Sequence, residues 1–230
     1  MALPKIKHVL FDVTIPSTNK KVKFRPFTVQ EEKIIVSAST TEDTKEILNA
    51  ISQIINNCAV TDDFDADALS LFDIEWIFVQ LRANSVNNVV DIVKTEDGKK
   101  YIGQLDLKDV KVVRNEKHTN KILVSDDIGI IMKYPNIGMV NEISVEDNKM
   151  GYEAIHYCIE KVYDSNEVYT KGENFDDTEL EAFISSLPSD ALQKVLEFFD
   201  TMPTIETTIE LVADDGSKKT YDLKGINDFF

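Results

Sequence analysis

The sequence is poor in the residues that most often announce chemistry, with two cysteines, three histidines and eight glycines among 230 residues. Cys58 and Cys158 lie far apart, which argues against a disulfide-stapled scaffold and for reduced thiols in a cytosol. The glycines are dispersed singly, so no glycine-rich strand-to-helix loop is present to cradle phosphates, and nucleotide binding is unsupported. No run approaches the roughly 20 apolar residues that span a bilayer, and Lys5 and Lys7 near the start are not followed by an apolar stretch. Neither secretion nor membrane insertion is expected. Basic residues are also scarce: 25 Lys and Arg face 41 Asp and Glu, a net charge of −16. Phosphate contacts need clustered cations, so binding to nucleic acid is disfavoured.

What is present suffices for a folded core: 43 % of residues are apolar, with twelve Phe, seven Tyr and one Trp. Charge is unevenly placed. Residues 1–115 hold 15 basic and 17 acidic side chains, whereas residues 116–230 hold 10 and 24. Met1 to Ser37 is locally basic, with seven cations against Asp12, Glu31 and Glu32. Such a head is either an ordinary solvated hairpin or a surface that attracts an acidic partner.

The patterning predicts an α+β fold. Val9, Phe11, Val13 and Ile15 alternate, Pro16 to Lys20 has turn chemistry, and Val22 and Phe24 resume the alternation, giving an amino-terminal hairpin. Thr28 with Glu31 forms a capping box behind Phe27, so a helix begins there and runs to about Ser37. Ser39 with Glu42 offers a second box ahead of Ile47, Leu48, Ile51, Ile54, Ile55 and Cys58, one apolar helical face that makes Cys58 a core residue and not a nucleophile. A third helix is expected from Leu71 to Ala83, with Asp73, Glu75 and Gln80 outward. A second hairpin turns at Asp97-Gly98. Extended pieces follow at Asp109–Arg114 and Lys121–Tyr134. Helices are then predicted over Met150–Val162 and Thr178–Leu187, with a last one capped by Ser189 and facing inward through Leu192, Val195, Leu196 and Phe199. Residues 164–177 read as an acidic, mobile surface loop. The expected division is 1–135, carrying hairpin, helices and central antiparallel strands, and 136–230, an acidic helical region with a closing hairpin, or else one integrated domain.

That closing hairpin echoes the earlier one. Both run strand, acidic turn with glycine, Lys-Lys, strand, and both end in Asp-Leu-Lys, at Asp106–Lys108 and Asp222–Lys224. Shared turn chemistry and true duplication are both open readings.

Candidate chemistry is thin. Asp63, Asp65 and Asp67 imitate the start of a calcium loop, but Ala68 stands at the turn glycine and Ile74 at the closing Glu, so an acid-rich helix entry is the better reading. Glu153 and His156 have the Glu-x-x-His spacing of di-iron bundles without the second pair such sites need. No cysteine pair is spaced for zinc. No catalytic residue, metal ligand or cofactor is assigned, and an enzyme is not expected.

Several segments are more specific than this. Pro4–Lys7, Ile15–Thr18 and the run Val22-Lys23-Phe24-Arg25-Pro26-Phe27-Thr28-Val29-Gln30-Glu31-Glu32-Lys33 resemble the amino-terminal signature of the baseplate hub proteins of T-even-type contractile-tailed bacteriophages. The resemblance continues at Ile54–Cys58, Leu81–Val86, Phe198–Pro203 and Leu223–Phe230. The family includes hub subunits and hub assembly factors, and the resemblance does not separate them. It implies a non-enzymatic, chaperone-like or structural protein that binds other phage baseplate hub or tail proteins. Such a protein resides in the host cytoplasm during assembly or in the virion. Some relatives carry Cys-x-x-Cys in the hairpin turns; here Glu96-Asp97-Gly98 and Asp214-Asp215-Gly216 stand there, so an inherited metal role is lost. The residues expected at a partner surface are Phe24, Arg25, Pro26, Phe27, Glu31, Glu32, Arg82 and Ser85. Arg and aromatic side chains dominate interface hot spots, while the same residues also suit packing, an Arg25 ion pair with Glu31 or Glu32, and helix capping. If Arg25 is an anchor, Arg25→Ala weakens partner capture and leaves the melting temperature nearly unchanged. The rival classes are a phage enzyme without a recognisable motif, which requires a pocket of convergent titratable groups, and a small-ligand or metal-binding module.

Overall fold

The computed structural model describes residues 6–38, 40–41, 43–85, 88–143, 152–225 and 228. Among them are seven helices and eleven strands, an α+β arrangement that opens and closes on β-hairpins. The chain forms two compact units: residues 1–113 with 204–230, and residues 114–203. This grouping departs from a division near residue 135, because the closing hairpin pairs with strands of the first half of the chain.

In the first unit, β1 (Phe11–Thr14) and β2 (Lys21–Phe24) pair antiparallel with Phe11 opposite Phe24. Val13, Ile15, Val22 and Phe24 are buried, whereas Val9 lies outside the strand and is exposed. Helix α1 spans Val29–Ala38. Helix α2 (Thr44–Cys58) is capped by Asp43, whose side chain accepts the Lys45 N–H; the Ser39–Glu42 box lies outside the described residues. Leu48, Ile51, Ile54, Ile55 and Cys58 form its buried face, as the periodicity predicted.

Helix α3 (Leu71–Ser85) is buried on more than one side, because Ile74, Ile77, Phe78 and Leu81 and also Phe72 and Val79 are inaccessible. Val79 belongs to the core beneath the five-stranded sheet, with Leu105, Leu107, Ile205, Leu211 and Leu223. Asp73, expected outward, is fully buried. Its carboxylate accepts the Ser17 N–H at 2.9 Å and the Ser70 hydroxyl, joining the hairpin turn to the start of α3. Two of the three aspartates that imitate the start of a calcium loop hold the chain instead: Asp65 accepts the Asp67 N–H, and Asp67 accepts the Ser52 hydroxyl.

The sheet of this unit is built from β3 (Val89–Glu96), β4 (Lys99–Asp106), β5 (Lys111–Val113), β10 (Thr204–Ala213) and β11 (Lys218–Lys224). Its order is β11-β10-β4-β3, with β5 paired beside β10. Asp97 and Gly98 both have positive φ, 49° and 75°, the backbone that a two-residue hairpin turn requires. The two similar hairpins lie next to each other, and the leucines of both Asp-Leu-Lys sequences, Leu107 and Leu223, enter the same core.

The second unit has a four-stranded antiparallel sheet, β6 (Lys121–Leu123), β7 (Gly129–Met132), β8 (Ile159–Tyr163) and β9 (Val168–Thr170), in that order. Its helices are α4 (Ile137–Glu142), α5 (Tyr152–Cys158), α6 (Asp177–Ser185) and α7 (Ser189–Thr201). The helix predicted through Val162 stops at Cys158, because Ile159 and Val162 pair with Met132 and Ile130 of β7. The segment 164–177, predicted as a mobile loop, contains β9, which is hydrogen-bonded to β8. Helix α7 turns Ala191, Val195 and Phe198 inward and leaves Leu196 exposed, a face rotated from the predicted one. Pro188, not Ser189, precedes its first turn, without a side-chain cap.

Candidate functional site

Most of the residues expected at a partner surface meet where β2, α1, α2 and α3 converge. The Arg25 N–H donates to the Cys58 carbonyl at 2.9 Å, and the Val60 N–H donates to the Lys23 carbonyl at 2.8 Å, so β2 is tied to the end of α2. The Arg25 guanidinium forms two parallel bonds to Glu31, Nη2 to Oε1 at 3.0 Å and Nη1 to Oε2 at 3.1 Å. The same carboxylate accepts the Thr28 N–H at 2.8 Å and the Thr28 hydroxyl at 2.6 Å, which supplies the Glu31 half of the expected capping box, while the Thr28 hydroxyl accepts the Gln30 N–H at 3.3 Å in place of that of Glu31. Ser85 Oγ accepts the Phe27 N–H at 2.8 Å and donates to the Leu81 carbonyl, so it fastens α3 to the hairpin exit.

These residues differ in access. Glu31 and Phe24 are fully buried, and Phe27 is nearly so; Phe24 meets Phe64 edge-on at 5.6 Å and Phe27 lies 6.1 Å from Phe78. Arg25, Pro26, Arg82 and Ser85 are partly buried, and Glu32 alone is exposed. Burial by itself would raise the Glu31 carboxyl, but the hydrogen bonds from Arg25 and Thr28 and the Arg25 charge overcome it and hold the group at about 2. The bond to Glu31 in turn raises Arg25, and burial lowers Arg82. Phe24, Phe27 and Glu31 therefore act on any partner only through the fold. Cys58 borders this cluster, and burial pushes its thiol up to about 12, as it does that of Cys158. Neither is poised as a nucleophile.

Glu153 and His156 line an open cleft of about 620 Å³ in the second unit, together with Glu142, Tyr157 and Glu181. His156 Nε2 sits 3.2 Å from the Asp177 carbonyl, and Lys171 bridges the Asp177 carboxylate at 3.0 Å and the His156 carbonyl at 3.2 Å. The Tyr157 hydroxyl donates to Asn136 Oδ1 at 3.1 Å. These bonds hold α5 to its surroundings and do not set a base against a nucleophile. Among the described residues no three His, Cys, Asp or Glu side chains converge to hold a metal ion. His118, which the sequence did not single out, is also structural: it bonds Thr201 and Tyr134 at 2.9 Å each, packs on Phe198, and is held below its ordinary value by burial and by Arg114.

A surface feature remains in the first unit. On the face of the five-stranded sheet opposite its core, Val93 stands opposite Ile102, and Ile102 opposite Val212. They are 48, 42 and 41 % exposed, a row of branched aliphatic side chains across three adjacent strands that ends at β3, the last strand in the order of the described residues. Hydrogen-bonded polar pairs lie beside it, Gln104 with Asp91 and Lys218 with Glu210. Period-two alternation showed that these strands have two faces; it did not show that the solvent face would carry an aligned apolar row, because that depends on inter-strand register.

Comparison with known protein families matches residues 8–230 to the family described as T4 bacteriophage base plate protein. The chain belongs to that family. No curated protein and no solved structure matches it. The base plate family match spans nearly all the segments that carried the resemblance, and three of them, residues 22–33, 54–58 and 81–86, supply the partners of the Arg25 cluster. No helix among the described residues of this base plate protein is long and apolar enough to cross a membrane.

Proposed function

We propose that this base plate protein is a hub subunit or hub assembly factor that works by binding other tail proteins and catalyses no reaction. The observation that carries the reading is the aligned row Val93, Ile102 and Val212 on the solvent face of the sheet, running to β3, which among the described strands pairs with β4 alone. Aligned apolar side chains at a sheet surface gain by being covered by a partner. Glu32 and the accessible parts of Arg25, Pro26 and Arg82 are also within a partner's reach. The net charge of −16 repels nucleic acid and anionic membranes, and so directs the molecule toward protein partners.

Ile102 is central in the row, so Ile102→Glu tests the surface. In phage lacking the wild-type gene, the variant is expected to fold with a melting temperature within a few degrees of normal and to fail to support tail assembly. Normal tails built with Ile102→Glu would refute the assignment. Mass spectrometry of purified virions then separates the two roles, since a hub subunit is retained at stoichiometric level and a transient factor is not.

A further inference from the structure

The second unit carries a groove between the β8–β9 strands and α6 that is independent of the sheet face described above. Its walls include Ile128, Val162, Phe175 and Phe183, and they enclose about 400 Å³. Both sides are held by hydrogen bonds. Gly172, at φ 82°, donates its N–H to the Phe175 carbonyl at 3.0 Å and fixes the loop that presents Phe175. Helix α6 begins with a full capping box in which Asp176 and Glu179 satisfy each other's N–H groups. Ile128 is 37 % exposed.

Charge decides what such a groove accepts. Asp164 and Glu179 line it, and none of its lining residues is a cation. Nearby lysines are already engaged, Lys171 with Asp177 at 3.0 Å and Lys161 with Glu160 at 4.0 Å. Residues 114–203 hold 18 acidic and 8 basic side chains, so the groove sits in a strongly negative field. An apolar anchor fills the concavity, while basic neighbours satisfy the rim and acidic neighbours are repelled.

We propose that this groove docks a segment of a partner protein in which an aromatic or branched aliphatic side chain is flanked by Lys or Arg. The proposal rests on the reading of the protein as one that binds other proteins, and it assigns a second surface with its own specificity.

The test pans a randomised twelve-residue peptide display library against the full chain and measures the enriched peptide by fluorescence anisotropy. Enrichment of an apolar residue with basic flanks is expected, with binding that weakens as salt is raised. Ile128→Arg is expected to reduce affinity by about tenfold or more. Glu179→Gln keeps an oxygen for the cap and removes the charge, and should cost about threefold. Ile102→Glu should leave peptide affinity unchanged. No enrichment, peptides without basic flanks, salt-independent binding, or equal affinity for a folded Ile128→Arg would each overturn the proposal. Salt dependence is read on the unaltered chain, so it decides even if Ile128→Arg misfolds. Failure here with Ile102→Glu still blocking tail assembly removes the groove alone; normal assembly with Ile102→Glu removes the sheet surface alone.

Discussion

At the scale of single residues, the strongest constraint is the Arg25–Glu31 pair. Glu31 is fully buried and takes two bonds from Arg25 and two from Thr28, so removing the guanidinium strands an anion inside the protein. Breaking a buried pair from one side costs about 3–5 kcal/mol, and Arg25→Ala is therefore expected to lower stability by about that amount, measured by urea unfolding. This reverses the outcome expected if Arg25 were only a partner anchor; an unchanged unfolding midpoint would restore that role. The pH dependence follows with its sign. Glu31 is held at about 2 in the fold and titrates near 4.5 when free, so its contribution is present above pH 4.5 and is lost as pH falls toward 2. It amounts to roughly 3 kcal/mol. Glu31→Gln should flatten that part of the stability profile, and a profile identical to the parent's would show that other carboxylates set it. The thiols make a second prediction: with both pushed up to about 12 by burial, a thiol reagent at pH 8 should react with Cys58 and Cys158 only as fast as the protein opens. Immediate labelling of either would contradict their placement.

At the scale of elements, the parts legible in the sequence were those fixed by local chemistry. The Asp97-Gly98 turn, the bond from the Thr28 N–H to Glu31 and the α2 face each depend on residues within a few positions of one another, and each is where the pattern placed it. The parts missed were decided by distant partners. Ile155, Ile159 and Val162 are spaced for a helix, yet pairing with β7 draws the last two into a strand. Asp73 looks like a surface acid until the hairpin turn supplies the Ser17 N–H. The candidate partner residues were legible as a group but not in their access: sequence proximity joined Arg25 to Glu31, and only the fold showed Phe24 and Glu31 to be buried. The β7–β8 pairing can itself be tested. A Cβ on Gly129 would lie 2.2 Å from the ring of Tyr163, its register partner, so Gly129→Ala must push that ring aside. A loss of about 1–3 kcal/mol is expected, read as a lower urea midpoint with unchanged slope. An unaltered midpoint would mean that the ring does not lie over the glycine.

At the scale of the whole molecule, the acidity that sequence counting assigned to the second half is concentrated between two paired strands. Residues 114–203 carry a net charge of −10 out of −16, and they lie in the chain between β5 and β10. Those strands pair with Val113 opposite Thr204 and Lys111 opposite Glu206, so the first unit receives the chain back beside the point where it left. Paired antiparallel residues have Cα atoms about 5 Å apart, a gap that a hairpin loop of about two to five residues closes. The core of this unit, including Val79, Leu107, Ile205 and Leu223, lies within residues 1–113 and 204–230. A chain in which residues 114–203 are replaced by a short Asn-Gly loop is therefore expected to unfold cooperatively in urea and to keep Cys58 protected from thiol reagents. It should bind through the Val93–Ile102–Val212 row and lose all affinity for basic-flanked peptides. A broad, non-cooperative transition in that chain would mean that the five-stranded sheet depends on the acidic insertion for its fold.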